Sequence, residues 1–355
     1  MTMELNALGF DSWFEQQSAP LLQPGHSLAR VTTVDRCAFL VRNLDGETSA
    51  ELAGKFRFTT ETASDMPCVG DWVVVQYPTT AGGPATIHGV VPRKTILRRK
   101  SSGKTVDFQT IAANLDAVFI MQACGFDFNP ARLDRYLVMA NESGIEPWII
   151  LTKTDLISPE QLAELIAELR RTRTATQILA LSNTTGAGLD EFRALLVPGG
   201  TYCLLGSSGV GKSTLVNRLI GHEALDTRAV SATGEGVHTT SRRQLLVLEN
   251  GAMLIDTPGM RELGLLGTSD GVADTFAEIG EYAANCRFTD CTHVGEPGCA
   301  VLQAVKDGTL SAERHQSYLK LRKETEFHDL SSLDKRRKDR SFGRFIKSAK
   351  KGKKG

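Results

Sequence analysis

The chain has 355 residues, of which 41% are apolar and 23% charged, as expected of a globular protein with two or three hydrophobic cores. This composition excludes disorder throughout. No apolar run reaches about 18 residues, and residues 1–20 carry acidic side chains where a secretory leader has basic ones. We therefore expect a cytoplasmic protein that does not enter a membrane.

The 41 basic and 41 acidic residues balance overall but are unevenly distributed. Residues 335–355 hold eleven Lys and Arg residues against the single acid Asp339, which leaves 30 basic and 40 acidic residues elsewhere. A basic tail on an acidic body favours a polyanionic partner. A solvated tail that only improves solubility is the alternative.

The first predicted domain is a small antiparallel β unit at 27–100, after an N-terminal extension at 1–26. Short alternating segments broken by glycine predict a barrel or sandwich. Its aromatic residues Phe56, Phe58 and Trp72 are predicted in the core, with stacking platforms for bases as the alternative. Residues 93–104 are rich in Arg, Lys, Ser and Gly and are interpreted as a linker.

From 104 to 275 apolar runs alternate with helical stretches, which predicts a mostly parallel sheet covered on both faces. Residues 276–330 are predicted to be helical around a cysteine cluster, and 331–355 form the basic tail. The predicted strands are 117–121, 148–151, 178–181, 202–205, 245–248 and 253–255. The predicted helices are 132–141, 159–171, 189–195 and 212–219.

A phosphate-binding loop follows the predicted strand 202–205 and precedes a predicted helix, as its motif requires. The sequence GSSGVGKST satisfies GxxxxGK[ST]. Its glycines let successive N–H groups point at phosphate, Lys212 reaches the β and γ phosphates in binding and catalysis, and the Ser213 hydroxyl binds Mg²⁺. The predicted GTP-binding residues of this loop are Gly206, Ser207, Ser208, Gly209, Val210, Gly211, Lys212, Ser213 and Thr214.

The sequence DTPG at 256–259 indicates a GTPase rather than a kinase or an ATPase. It ends the predicted strand 253–255, where Asp256 can hold Mg²⁺ through water and the Gly259 N–H can contact the γ phosphate. An ordinary turn at the end of a strand is the alternative.

A glycine-rich segment at 236–240 reads GVHTT and is typical of a switch that is ordered by the γ phosphate. We predict Thr240 as its Mg²⁺ ligand, with Thr239 as the alternative. Met260 stands where many GTPases carry a water-orienting glutamine, so intrinsic turnover is expected to be slow. His238 is the nearest candidate to position water, although it can instead contact RNA or pack.

Two segments before the phosphate loop are candidates to read the base. TKTD at 152–155 resembles the guanine-reading NKxD, in which a carboxylate, here Asp155, accepts from N1–H and the amino group of guanine and rejects adenine. A helix-start cap is the alternative. A serine-led segment follows the strand at 178–181. The predicted base-binding residues are Thr152, Lys153, Thr154, Asp155, Ser182 and Asn183.

An ordinary GTPase places its base-reading segments after the DxxG element. Since the ends of such a domain usually lie close together, a rotated order can keep the same site. This order, preceded by a barrel and followed by a Cys/His cluster, resembles the circularly permuted GTPases of the RsgA (YjeQ/YloQ) family over about residues 27–330. Thr152 departs from the usual Asn and removes an amide able to bond guanine N7, which affects affinity rather than base choice.

The C-terminal cluster has the spacing C-x4-C-x-H-x5-C. Three thiolates and one imidazole form a closed tetrahedral set, which suits one structural Zn²⁺. The seven cysteines, an odd number, argue against a disulfide framework, and buried unliganded cysteines are the alternative. The family resemblance implies the same four ligands, which are Cys286, Cys291, His293 and Cys299.

The resemblance implies an α/β P-loop GTPase domain with a circularly permuted, mostly parallel sheet, an N-terminal all-β OB-fold barrel and a C-terminal helical zinc-binding domain. It further implies that the protein hydrolyses GTP to GDP with Mg²⁺, stimulated by the small (30S) ribosomal subunit, and that it matures this subunit through its 16S rRNA. We expect a monomer. The alternatives are a nucleotide-regulated RNA-binding module with little hydrolysis and a P-loop phosphotransferase.

Overall fold

A computed structural model of the chain describes residues 5–35, 38–60, 63–78, 83–100, 108–125, 127–173, 176–221, 243–256 and 269–329. The chain separates into two units, Met1–Gly264 and Leu265–Gly355. Within the ranges just given, no helix is both long enough and apolar enough to cross a bilayer.

The N-terminal half of the first unit is a five-stranded barrel, as predicted. Its neighbouring strands run antiparallel except for the third and fifth, which are parallel, and the first strand also pairs with the fourth and closes the barrel. The strands are β1 (Ser27–Asp35), β2 (Ala38–Arg42), β3 (Glu47–Leu52), β4 (Trp72–Gln76) and β5 (Ala85–Val90).

Helix α1 (Ser12–Ser18) covers one outer face of the barrel. The Asp11 carboxylate caps this helix by accepting from the backbone of Trp13 and Phe14. The ring of Phe10 packs edge-on against Trp72, with 4.8 Å between their centroids. The N-terminal extension is therefore part of the fold.

The aromatic residues of the barrel differ from one another in burial. Trp72 is fully buried as predicted, and Phe56 packs against the barrel core from helix α2 (Gly54–Thr59). Phe58 lies on the same helix but is 92% exposed, so its prediction as a core residue is wrong. Residues two apart on a helix point to different sides, and the apolar character of Phe58 did not reveal which side it occupies.

The predicted linker contains regular structure. Strand β6 (Ile96–Lys100) pairs antiparallel with β7 (Phe108–Ala113) in a separate two-stranded sheet. Its basic side chains lie on a strand, and Leu97 is fully buried. The interpretation of residues 93–104 as a linker therefore fails for 96–100, because local charge masked the alternation of the strand.

The second half of this unit is the predicted parallel sheet. In space its order is β10-β9-β8-β11-β13-β12, and all neighbours are parallel except β13 and β12. Its strands are β8 (Ala117–Ala123), β9 (Glu146–Thr152), β10 (Gln177–Ala180), β11 (Thr201–Leu205), β12 (Arg243–Val247) and β13 (Met253–Asp256).

Four helices of the described part of the chain lie between these strands, and separate apolar clusters cover the two faces of the sheet. Local sequence sets the helix starts. Asn129 caps α3 ahead of a proline at its first position, and Ser158 with Gln161 forms a capping box ahead of α4. The helices are α3 (Pro130–Glu142), α4 (Pro159–Thr172), α5 (Leu189–Leu195) and α6 (Lys212–Ile220).

The barrel and the parallel sheet are joined directly. Strand β1 pairs antiparallel with β12, with Thr33 opposite Gln244 and Val34 opposite Arg243. The result is one continuous sheet of eleven strands. The sequence did not predict this pairing, because nothing local marks two strands more than 200 residues apart as neighbours.

A buried arginine crosses this junction. Arg30 on β1 is 1% exposed, and its guanidinium donates to the carbonyl of Leu8, the hydroxyl of Thr201 at 2.8 Å and the sulfur of Met253 at 3.4 Å. Burial lowers the pKa of Arg30 to about 10, so the group stays charged at neutral pH. It therefore links the N-terminal segment, the barrel and the starts of β11 and β13.

The second unit is helical, with a core that includes Val272, Phe276 and Ile279. Arg314 is buried against this core, donates to Glu278 at 2.7 Å and lies over the ring of Phe276 at 4.0 Å. The helices are α7 (Ser269–Thr275), α8 (Ala277–Ala283), α9 (Ala300–Lys306) and α10 (Ala312–Asp329).

Replacing Arg30 by Met is expected to lower the free energy of unfolding of the first unit by about 3 kcal/mol, since several buried oxygens lose their donor. Urea unfolding followed by tryptophan fluorescence measures this change, because Trp13, Trp72 and Trp148 all lie in this unit. Arg42→Met is the control, since Arg42 is an exposed residue opposite Arg30 on β2. Equal small losses for the two variants would contradict the junction role of Arg30.

Candidate functional site

Loops from three strands meet at one edge of the parallel sheet. Strand β11 leads into the phosphate loop, β9 into the TKTD segment and β10 into the segment that begins at Ser182. Because β10, β9, β8 and β11 are parallel, their carboxyl ends lie at the same edge. Segments far apart in the chain are thereby brought together.

The phosphate loop is closely packed at two of its glycines. A Cβ on Gly206, where φ is 151°, would lie 2.6 Å from the carbonyl oxygen of Met121, and one on Gly211 would lie 2.7 Å from the amide nitrogen of Asn183. Only glycine fits both positions. Helix α6 begins at Lys212 with no side-chain cap from Gly211, so its first-turn N–H groups face the loop.

The Lys212 ammonium is folded back over the phosphate loop. Its Nζ donates to the carbonyl oxygens of Gly206 at 2.7 Å and Ser207 at 2.8 Å. These bonds hold the cation above the hollow of the loop, where a β or γ phosphate would replace the two carbonyls as its partner.

The base-reading carboxylate is oriented by the serine-led segment. The Ser182 hydroxyl donates to Asp155 Oδ1 at 2.5 Å and accepts from the backbone N–H groups of Thr184 and Thr185, each at 3.1 Å. Ser182 is fully buried, so its hydroxyl has a fixed direction. The structure therefore places Ser182 and Asp155 together, with one carboxylate oxygen of Asp155 bonded to Ser182.

Two side chains tie the base-reading segments to the phosphate loop. The Thr152 hydroxyl donates to the carbonyl of Val210 at 2.8 Å, and the Asn183 amide donates to the carbonyl of Gly211 at 3.0 Å. Thr152 has no exposed surface, so this bond is buried and supports the loop from strand β9.

The remaining predicted residues are only partly described. Thr154 and Lys153 are partly buried beside Asp155, with Lys153 in the left-handed region at φ 56°. Asp256 ends β13, where its backbone pairs with Gln244. Ser208 and Thr214 are exposed, while Gly209 and Ser213 are partly buried. The predictions for His238, Thr239, Thr240, Gly259 and Met260 lie outside the described residues.

One contact to the phosphate loop was missed by the sequence reasoning. The hydroxyl of Ser207 donates to Oδ2 of Asp127, which lies in the loop between β8 and α3. Arg132 forms an ion pair with the same carboxylate at 3.2 Å. No motif marks Asp127, and its only sequence signal is its place after a buried strand next to the strand that carries the phosphate loop.

The second unit gathers the four predicted metal ligands. Their ligand atoms all lie within 4.8 Å of one another. The Sγ atoms of Cys286 and Cys299 are 3.9 Å apart, and they lie 3.6 and 3.5 Å from Nδ1 of His293. Tetrahedral zinc with ordinary Zn–S and Zn–N bonds separates such atoms by roughly 3.8 and 3.6 Å. The cluster therefore has the dimensions of a metal site.

Surrounding hydrogen bonds fix the loop that carries these ligands. The Glu296 carboxylate accepts from the backbone of Thr292 at 2.8 Å and of Val294 at 3.0 Å. Hydrogen bonds from Thr292 and from backbone N–H groups hold the pKa of Glu296 well below its usual range. His315 Nε2 lies 3.0 Å from the carbonyl oxygen of His293, which stands at φ 61°.

The site combines a phosphate loop with an aspartate held by a serine, and its motifs follow one another along the chain in a permuted order. These features define a circularly permuted P-loop GTPase. A sequence profile described as RsgA GTPase matches residues 90–266. The small ribosomal subunit biogenesis GTPase RsgA of Opitutus terrae is 42% identical over 331 residues, covering 91% of this chain and 90% of the relative. RsgA 2 of Lactiplantibacillus plantarum is 39% identical and covers 96% of each chain.

The solved structures agree. The chain is similar to YjeQ from Thermotoga maritima at a TM-score of 0.63 and 26% identity, covering 84% of this chain and 98% of that one. It shares the fold of YloQ, described as a circularly permuted GTPase, at a TM-score of 0.60 and 22% identity, covering 86% and 97%. The chain belongs to the RsgA family of GTPases, as its sequence motifs predicted.

Thr152→Val is expected to weaken binding of GTP and GDP about tenfold while leaving the preference over ATP unchanged, because it removes the strut to Val210 but not Asp155. Fluorescent-nucleotide titration measures the dissociation constants. Thr172→Val is the matched control, since in the described ranges that hydroxyl bonds with Glu168, Leu169 and Arg173 around the end of its own helix. Unchanged nucleotide affinity in Thr152→Val would show that the bond from Thr152 to Val210 does not support the phosphate loop.

Proposed function

We propose that this chain hydrolyses GTP to GDP and phosphate and acts in maturation of the small (30S) ribosomal subunit. The observation that carries the proposal is the pair of bonds from Thr152 and Asn183 to the carbonyls of Val210 and Gly211. They hold a purine-reading aspartate and a phosphate loop as one pocket.

Guanine selection follows from the way Asp155 is held. Ser182 occupies one carboxylate oxygen, which fixes the plane of the group and directs the other oxygen toward a bound base. Guanine offers an N–H and an amino group to this carboxylate, whereas adenine offers a lone pair and a C–H. ATP is therefore rejected because it would leave a charged acceptor unpaired.

The phosphate loop supplies the electrostatics of hydrolysis. Lys212 exchanges its two carbonyl partners for phosphate oxygens, and the first-turn N–H groups of α6 bind the same anion. Mg²⁺ neutralises the triphosphate when bound, with Ser213 and Thr240 as its proposed protein ligands and Asp256 acting through water. Gly259 is assigned to the γ phosphate, and His238 to positioning the attacking water in place of a glutamine at Met260.

The partner proposal is supported by the relatives' names, which refer to small ribosomal subunit biogenesis. The basic residues at 335–355 offer a surface for RNA phosphates. On the barrel, Phe58 is 92% exposed beside the exposed Arg57, and such a pair stacks on and neutralises unpaired RNA. We propose 16S rRNA as the contact, a cytoplasmic location and a monomer that docks on the larger particle.

We further propose one structural Zn²⁺ in the second unit. Its support is that the sulfur and nitrogen atoms of Cys286, Cys299 and His293 are separated as in a tetrahedral zinc site, and that the Cys291 sulfur lies within 4.8 Å of them. Four protein ligands leave no open position for water, so the ion stabilises the fold and takes no part in hydrolysis.

Phosphate release from GTP and from ATP, with and without purified small subunits, tests the function. We expect slow release from GTP alone, a stimulation of about a hundredfold or more by small subunits, and little release from ATP. Asp155→Ala should abolish the preference for GTP. Equal release from ATP would contradict guanine selection. No release even with small subunits would favour a regulated RNA-binding module, or a phosphotransferase that passes the phosphoryl group to an acceptor other than water.

Metal analysis of the purified protein is expected to give close to one zinc ion per chain. Cys299→Ser should lose most of this zinc and become more sensitive to protease in the second unit. GTP binding should persist, because the nucleotide site lies in the first unit. Cys68→Ser, at a buried cysteine of the first unit, is the control and should keep its zinc. Zinc-free wild-type protein would overturn the proposal.

A further inference from the structure

The loop after β8 contacts the phosphate loop through a carboxylate that belongs to none of the GTPase motifs. Asp127 accepts from the Ser207 hydroxyl through Oδ2 at 3.1 Å. Ser207 is the second residue of GSSGVGKST, directly after the glycine that packs on β8. A bond at this residue sets the position at which the chain leaves β11 and begins to curl around a phosphate.

A carboxylate beside a triphosphate site normally opposes anion binding. Here Arg132 offsets its charge. The Arg132 guanidinium lies 3.2 Å from Asp127 Oδ1 and donates to the Asp127 carbonyl at 2.5 Å and to Gln122 Oε1 at 3.4 Å. Gln122 is fully buried in β8, so Arg132 fixes Asp127 to the sheet from both its side chain and its backbone.

Arg132 is itself held in place by the start of α3. Its backbone N–H donates to Asn129 Oδ1 at 2.9 Å, which is the N-cap bond of this helix. The series Asn129, Arg132, Asp127 and Ser207 therefore runs from a helix cap to the phosphate loop. Each member has a hydrogen-bonding partner in the next, so the position of the loop is set by a rigid element.

The timing of this contact in the reaction follows from Lys212. In the structure the same stretch of the loop is also held by Lys212, which donates to the carbonyls of Gly206 and Ser207. When Lys212 turns to phosphate, these two bonds are lost. The bond between Ser207 and Asp127 is on a side chain, so it does not compete with phosphate and persists.

We propose that Asp127 is a positioning residue for GTP: it holds the first turn of the phosphate loop in its binding shape after Lys212 has moved to the phosphates, and Arg132 supports and neutralises it. The proposal rests on the assignment of residues 206–214 as the phosphate site. It adds a fixed point outside the known motif set.

Fluorescent GTP and GDP titrations and stimulated turnover on the full chain test this role. Asp127→Ala and Ser207→Ala are each expected to weaken nucleotide binding about tenfold, and the double variant should be no weaker than either single variant because both remove one bond. Asp127→Asn keeps an acceptor for Ser207 and should restore binding to within about threefold. KM should rise more than kcat falls.

Asp190→Ala is the matched control, since Asp190 pairs with Arg193 at the surface and bonds no phosphate-loop residue in the described ranges. It should bind GTP normally. Lys212→Ala tests the phosphate site itself. Normal GTP binding in that variant would overturn both the assignment of residues 206–214 and the role of Asp127. If Lys212→Ala loses binding while Asp127→Ala does not, or if the two single losses add in full, only the role of Asp127 is overturned.

Discussion

Two hydrogen bonds hold the candidate site together, from the Thr152 hydroxyl to Val210 and from the Asn183 amide to Gly211. Each joins a base-reading segment to the backbone of the phosphate loop. The distance between the parts of the site that bind the purine and the phosphates is therefore set before a nucleotide binds. Pre-organisation of this kind lowers the entropy lost on binding. The bonds can form because β9, β10 and β11 run parallel in one sheet and end at the same edge, so the site requires the register of these strands.

The permuted order of motifs is compatible with this site because the site depends on strand neighbours in space and not on order along the chain. Strand β8 lies between β9 and β11, so the base-reading and phosphate segments are separated by one strand. A cut and rejoining of the chain elsewhere leaves these neighbours unchanged. Only the order in which the chain connects the strands differs. In this chain the sheet continues from β12 into β1 of the barrel.

Most of the fold could be predicted because its signals are local. The buried strands of the sheet read as apolar runs, the phosphate loop carries its own glycine pattern, and the four metal ligands fall within one short segment. Long-range contacts carry no such signal. The pairing of β1 with β12, the bond from Ser207 to Asp127, and the burial of Thr152 each depend on which distant residue arrives opposite. Phe58 shows the opposite case, in which an aromatic residue is predicted in the core but lies exposed at the surface.

Strand β12 connects the barrel to the strand that carries Asp256. Gln244 pairs with Thr33 of the barrel on one side and with Asp256 on the other. Because both edges of β12 are occupied, a one-residue slip of this strand would break two ladders and turn its side chains to the wrong faces. Arg243 adds a bond to the carbonyl of Thr110 at 2.8 Å. Strand β12 therefore joins the barrel to the strand that ends at Asp256 through two ladders.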